Sequence, residues 1–496
     1  MTQQISFKNI PQNLRTPLFY GEVDNSKANT ASEIQRTLII GQMTSSGTGA
    51  ANSVNLCAGS NDAATLAGVN SRLASDVAAY RLNDASAELW IGLLADAGGS
   101  AAATGTLTFS GAPTANGSFF FYLGGVRYVL PVATTQTAAQ LATALAALVN
   151  ADPTCPVTAS VASAVVTFTA DSKGPQGNDY PMVVSFYGLP SEPTVPGLAA
   201  ALVQMSGGTG APVLTSLLVA LGDQTFDAIV CPYSDTTTLD ALKVFLNDST
   251  GRWSYSQQAY GHVFTAQSGT LSALVTFGNA RNNQHETCWG IPPGSPTPVS
   301  AWAAAKAGTC MPSLRIDPAR PLQTLVVAGV IAPPLANRFV LLDRNTLLYN
   351  GISTFTVGAD GTVSIENVIT TYQKNAFGSA DDSYLQIETL FNLVFQLRYL
   401  RTRLTSRFPR MKLADNGTPA GAGSAIVTPN IARAELISAY ADLVDLGLAQ
   451  DAEAFAASLV VQRNALNPNR LDVLFPTYLI DQLRTLALLA QFRLQV

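Results

Sequence analysis

Charge is scarce in this chain. Of its 496 residues, 12% are Asp, Glu, Lys or Arg, against ~25% in ordinary soluble domains. The 28 basic and 33 acidic side chains leave a net charge of −5. That excludes a nucleic-acid binder working through a global positive field. Histidine is rarer still, with only His262 and His285. The five cysteines (Cys57, Cys155, Cys231, Cys288, Cys310) are scattered and form no CxxC pair. They read as buried free thiols of a reducing compartment, and neither histidine lies near a cysteine pair that could build a zinc site. Long apolar runs are absent as well. A spanning helix needs ~20 consecutive apolar residues, and the best runs stop at Pro333 and Pro334 or at Gly222. The opening MTQQISFKNIPQN has no charged segment followed by an apolar stretch, so no signal peptide is read and a cytoplasmic, non-membrane protein is expected.

What the chain has instead is apolar content: 47% hydrophobic residues and a mean hydropathy of +0.20. Disorder as the main state is excluded. The length suits two to four domains with sizeable cores. With so few charges, a soluble protein must hide much of its surface somewhere.

Strand and helix patterns alternate along most of the first 315 residues. Strand-like runs occupy 37–40, 88–94, 226–230, 262–265 and 287–291. Helical periods occupy 62–82, 212–221, 236–246, 271–280 and 300–307. This alternation argues for an α/β fold with a doubly wound, mostly parallel sheet. Residues 101–190 interrupt it with Thr-, Ser-, Ala- and Gly-rich strands and a capping box at Thr137 and Gln140. They read as a small β-rich domain inserted on the outside of the core.

The resulting division is an N-terminal arm at 1–30, an α/β core at 31–100 plus 191–315, the insert at 101–190, a C-terminal α+β domain at 316–480 and a terminal arm at 481–496. The first arm holds one orphan strand, Leu18, Phe19, Tyr20, Gly21, Glu22 and Val23. A lone strand must pair with something to be stable. The last arm alternates Leu486, Leu488, Ala490, Phe492, Leu494 and Val496 with Ala487, Leu489, Gln491, Arg493 and Gln495, a period of two that marks a strand with one buried face.

Enzyme motifs are missing. There is no GxxxxGK[ST] phosphate loop, HExxH or GxSxG elbow, and Gly47-Thr-Gly49-Ala-Ala-Asn52 lacks the third glycine of a dinucleotide fingerprint. A Ser-His-Asp triad would have to use His262 or His285, and both read as ordinary core or surface histidines. Asp360, Asp381 and Asp382 sit in turns where Asp caps backbone amides. No catalytic, cofactor-binding or metal-binding residue is assigned. One charge cluster stands out: Arg398, Arg401, Arg403, Arg407, Arg410 and Lys412, with no acid among them. It reads either as a helix end whose cations suit the dipole or as a basic patch that docks an acidic partner. Arg403 and Arg407 fall roughly opposite the leucine stripe of the 384–408 helix.

The chain resembles the sheath proteins of contractile phage tails, most like those of Mu-like myophages. The resemblance runs nearly the whole length through short ordered stretches: IPQNLRTP at 10–17, residues 36–41, GRW at 251–253, DPARP at 317–321, LLYNGI at 347–352, IENVITTYQ at 365–373 and NPNRLD at 467–472. It implies a subtilisin-like core fold without proteolysis, since His262 follows Gly261 instead of preceding a glycine and no serine sits in a GTSMA-like context. It further implies hexameric rings stacked around a tail tube. Terminal arms would join neighbouring subunits by strand addition, the C-terminal domain would lie near the tube, and baseplate and tail terminator proteins would be further partners. Contraction would need no nucleotide or other cofactor, and the protein would assemble in the host cytoplasm as part of the virion tail. Two other classes stay open on the residues alone: an α/β hydrolase, and a different self-assembling baseplate or surface protein.

Overall fold

Buried strands written as continuous β-branched and leucine runs need cover on both faces, and the central sheet supplies it. In the computed structural model, which describes residue 16 and residues 35–419, 421 and 424–494, eight strands form one sheet. In order across it they are Val363–Asn367, Ile352–Val357, Glu286–Ile291, His262–Ser268, Ala228–Val230, Arg36–Gln42, Glu88–Leu94 and Val54–Leu56. The inner six run parallel and the two edge strands run antiparallel to their neighbours.

Alternation along Arg36–Gln42 splits the core in two. Ile39 points into a cluster with Val77, Tyr80, Trp289, Trp302 and Phe391, under the helices Arg72–Arg81 and Val299–Ile316. Leu38 and Ile40 point the other way, into a cluster with Leu217, Leu239, Leu242 and Leu246 under the helices Thr215–Ala220 and Thr236–Leu246. Helices therefore cover both faces of a parallel sheet, a mixed α/β architecture.

Several elements differ from the sequence expectation, each for a local reason. The 62–82 helix is two helices, Ser60–Ala67 and Arg72–Arg81. They break at Gly68, whose φ is +105° and where a Cβ would sit 2.1 Å from the Thr44 hydroxyl. The 300–307 helix runs on to Ile316 through Pro312. Burial on nearly all sides outweighs the hydrogen bond the proline removes. The helix expected from Pro212 starts only at Thr215.

Residues 104–206 build two further sheets around their own apolar cluster. Leu198–Ser206 pairs antiparallel with Thr104–Gly111, so this unit takes in residues beyond 190. Its helix Ala138–Asn150 opens on the Thr137–Gln140 capping box, both bonds of which are present.

The C-terminal part packs the helices Ile387–Arg407 and Pro429–Asp445 together with Phe455 and the hairpin of Val460–Arg463 with Leu471–Leu474. Among the described residues no helix is long and apolar enough to cross a membrane.

Candidate functional site

The end of the described chain is an exposed apolar segment. Residues 475–484 lie along the body. Gln450 donates its amide to the Tyr478 carbonyl at 2.9 Å, and the Tyr440 hydroxyl bridges the Gln450 and Tyr478 carbonyls at 2.6 and 3.2 Å. Beyond Arg484 no hydrogen bond or ion pair is made among the described residues. Leu486, Leu488, Phe492 and Leu494 are between 82% and 88% exposed, and no strand is present there. In the single chain the residues expected to form the terminal arm strand lie in no strand and are exposed on both faces. Their sequence keeps the period of two of a strand with one buried face. Leu18, Phe19, Tyr20, Glu22 and Val23, the expected N-terminal arm strand, lie outside the described residues.

A short sheet near that end is itself incomplete. The hairpin Val460–Arg463 and Leu471–Leu474 is two-stranded, and neither strand pairs with a third among the described residues. Val460, Val473 and Leu474 are exposed on it. The NPNRLD stretch spans the end of its loop and the start of the second strand, and Asn464 donates to the Asp472 carboxylate at 2.6 Å. Sequence reading passed over this hairpin because its strands are only four residues long.

The basic segment is not one free patch, which corrects that expectation. Arg398 turns inward and pairs with the buried Asp227 at 2.6 Å. Arg403 binds Glu435 at 2.7 Å and also reaches Asp442, both on the helix Pro429–Asp445. Arg407 is 3.7 Å from Glu435 but largely exposed. Arg401, Arg410 and Lys412 are exposed and have no ion-pair partner among the described residues. The acids that answer Arg398 and Arg403 lie far away in sequence, out of reach of a local charge count.

Neither histidine sits in a catalytic arrangement. His262 is buried, its Nε2 2.8 Å from the Thr287 hydroxyl. Burial and then the neighbouring His285 hold it well below the usual histidine range. His285 stacks on Trp253 at 4.3 Å and contacts Asp248 through Nε2 at 2.8 Å. No serine or cysteine is bonded to either ring. Among the described residues no group of three or more His, Cys, Asp or Glu could hold a metal.

The described residues thus form an α/β body with an exposed apolar chain end and a separate two-stranded hairpin. The particular family follows from comparison. The Mu-like prophage FluMu tail sheath protein of Haemophilus influenzae is 38% identical over 491 residues, covering 98% of this chain and 99% of that protein. A family model described as the phage tail sheath protein central domain matches residues 207–371. The chain belongs to the phage tail sheath proteins: it is a structural subunit of a contractile tail sheath, a virion component, and not an enzyme. Among solved structures it is similar to the sheath tail protein of Desulfitobacterium hafniense, with 13% identity, TM-score 0.48 and coverage of 94% of this chain and 97% of that one. It is also similar to the sheath tail protein of Listeria innocua, with 14% identity, TM-score 0.46 and coverage of 91% and 93%.

Proposed function

We propose that the chain polymerises as stacked hexameric rings around a tail tube, and that contraction of this polymer drives the tube through the host envelope. The observation that carries the reading is the exposed alternating segment 485–494. Apolar side chains at that density on a free chain end favour burial, at about 25 cal/mol per Å². Extended, the segment reaches about 33 Å, far enough to add a strand to a second copy. The incomplete hairpin at 460–474 is the acceptor we assign, because a two-stranded sheet is marginal on its own and gains from a third strand. Residues 18–23 would be the second arm.

Strand addition fits a sheath for a physical reason. Main-chain hydrogen bonds tether two bodies while letting them rotate, so subunits can repack without separating. The extended polymer would be metastable, and its release an interface-repacking switch. Better packing in the contracted form would supply the energy, without nucleotide. The parallel sheet with helices on both faces is consistent with a subtilisin-like, doubly wound core. In our division 31–100 plus 207–315 is that core, 101–206 an outer insert that includes the strand Leu198–Ser206, and 316–480 the tube-proximal domain. The proposed partners are further copies of the chain, the tube, the baseplate and the tail terminator, with assembly in the host cytoplasm and no role for nucleic acid or membrane.

Removing residues 485–496 tests the reading. It is expected to give folded subunits that do not polymerise. Sheath-like tubes formed by the truncated protein, seen by electron microscopy, would refute it.

A further inference from the structure

The exposed arm begins just beyond one ion pair, Arg484 with Glu388. Arg484 extends Nη2 to Glu388 Oε1 at 2.6 Å. Glu388 is fully buried in the first turn of the helix Ile387–Arg407, and the same oxygen accepts the Leu322 amide at 2.6 Å. Leu322 directly follows the DPARP stretch, where Gln482 binds the Ala319 carbonyl at 3.2 Å. Gln482 also presents its side-chain oxygen to Nε and Nη2 of Arg484, at 3.0 and 2.6 Å, which orients the guanidinium.

The other ties of 478–484 are neutral or exposed: Tyr440 with the Tyr478 amide and carbonyl at 3.0 and 3.2 Å, Gln450 with the Tyr478 and Leu479 carbonyls and the Asp481 carboxylate at 2.9, 3.0 and 3.2 Å, Ile480 to the Leu448 carbonyl at 3.4 Å and Gln323 to the Leu483 carbonyl at 3.3 Å. A segment held this way peels from its free end, one bond at a time. Arg484 is the last tie before that free end and the one strengthened by charge in a setting shielded from water. Building it is costly. Glu388 Oε2 and Arg484 Nη1 find no hydrogen-bond partner, and burial raises the Glu388 carboxyl against the pull of Arg484. A buried pair with unsatisfied atoms is poor evidence of a stabilising role, so stability alone does not explain it.

We propose that Glu388 and Arg484 form the latch that fixes the root of the C-terminal arm, passing tension on the arm into the long helix instead of peeling 478–484 from the body. This rests on the arm reading above. Arg484 acts as a positioning residue: it sets where the arm leaves the subunit.

The test uses the full chain with Glu388→Gln, Arg484→Gln and Arg484→Lys. In unassembled subunits, amide exchange at Tyr478 and Ile480 is expected to quicken at least about tenfold in the two glutamine variants, equivalent to about 1.4 kcal/mol. Exchange at Ile39 in the central strand should stay unchanged, and Arg484→Lys should fall between. A general loss of structure would speed Ile39 too. Polymers of the glutamine variants are expected to form but break into shorter tubes under shear. Wild-type exchange and wild-type tube length in both glutamine variants, while deletion of 485–496 still abolishes polymerisation, would overturn the latch and leave the arm reading standing. Polymerisation of the deletion protein would overturn the arm reading itself. If Arg484→Gln fails to fold, Glu388→Gln, which keeps the shape and the acceptor for Leu322, decides the question alone.

Discussion

Arg398 Nη1 lies 2.6 Å from Asp227 Oδ1, joining the long C-terminal helix to the start of a central strand. The other oxygen of Asp227 accepts the Arg36 amide at 3.0 Å, where the neighbouring strand begins. One buried carboxylate thus ties two parallel strands and a helix whose sequence positions are far apart. Asp227→Asn leaves the shape but removes a charge that pairs with Arg398. Breaking a buried pair from one side costs about 3–5 kcal/mol. A loss of that order in urea unfolding is expected, and Asp227→Asn combined with Arg398→Met should recover part of it.

That pair also marks what could and could not be read from the chain. Local signals carried far: the Thr137–Gln140 capping box, the helices Thr236–Leu246 and Leu271–Ala280, and the buried strand runs are each written in adjacent residues. The period of two after Arg484 was legible as well, but not its exposure, because periodicity alone does not say what covers the apolar face. Partners of a charge at long sequence separation leave no local trace. Six cations between 398 and 412 therefore read as one patch, although Asp227, Glu435 and Asp442 answer three of them, Arg407 only loosely. The same limit hid Glu388 and Arg484.

Lys306 offers a second measurement. Its side chain is fully buried, its Nζ has no hydrogen-bond partner, and the rings of Phe355, Trp289 and Trp302 surround it at 4.0, 4.2 and 4.9 Å. The rings favour a cation. Burial with no counter-charge outweighs them and holds the amine well below its usual range. Unfolding lets it take up a proton, so this residue destabilises the fold at neutral pH. Lys306→Met is expected to stabilise the protein by about 1–3 kcal/mol, read from the urea midpoint. It should also remove the part of the wild-type stability that rises with pH towards 10.5.

His262 gives a dependence at lower pH. It is neutral in the fold because burial and His285 lower its pKa from 6.5. In the unfolded chain it protonates near that value. Below it the unfolded state binds the extra proton, so stability falls as pH drops, by at most about 1.4 kcal/mol per unit. Other groups titrate in the same range. The readout is therefore the difference between wild type and His262→Phe in thermal unfolding from pH 7 to 5. The wild type should lose stability faster, and parallel curves would show that His262 contributes nothing.

The basic segment can now be divided by role. Arg403 binds Glu435 and Asp442 across two packed helices, so Arg403→Glu places a third acid among them and is expected to loosen that packing and lower the melting temperature. Arg401, Arg410 and Lys412 are exposed. Surface charges of this kind contribute little to stability and act instead on association with a charged partner. Reversing all three to Glu is expected to leave folding and self-assembly unchanged while weakening co-sedimentation with tail tubes, most clearly at low salt, where screening is weakest. The salt dependence separates this from a general defect: restored or unchanged binding at low salt would mean that the tube does not read these charges, and that the segment only ends a helix.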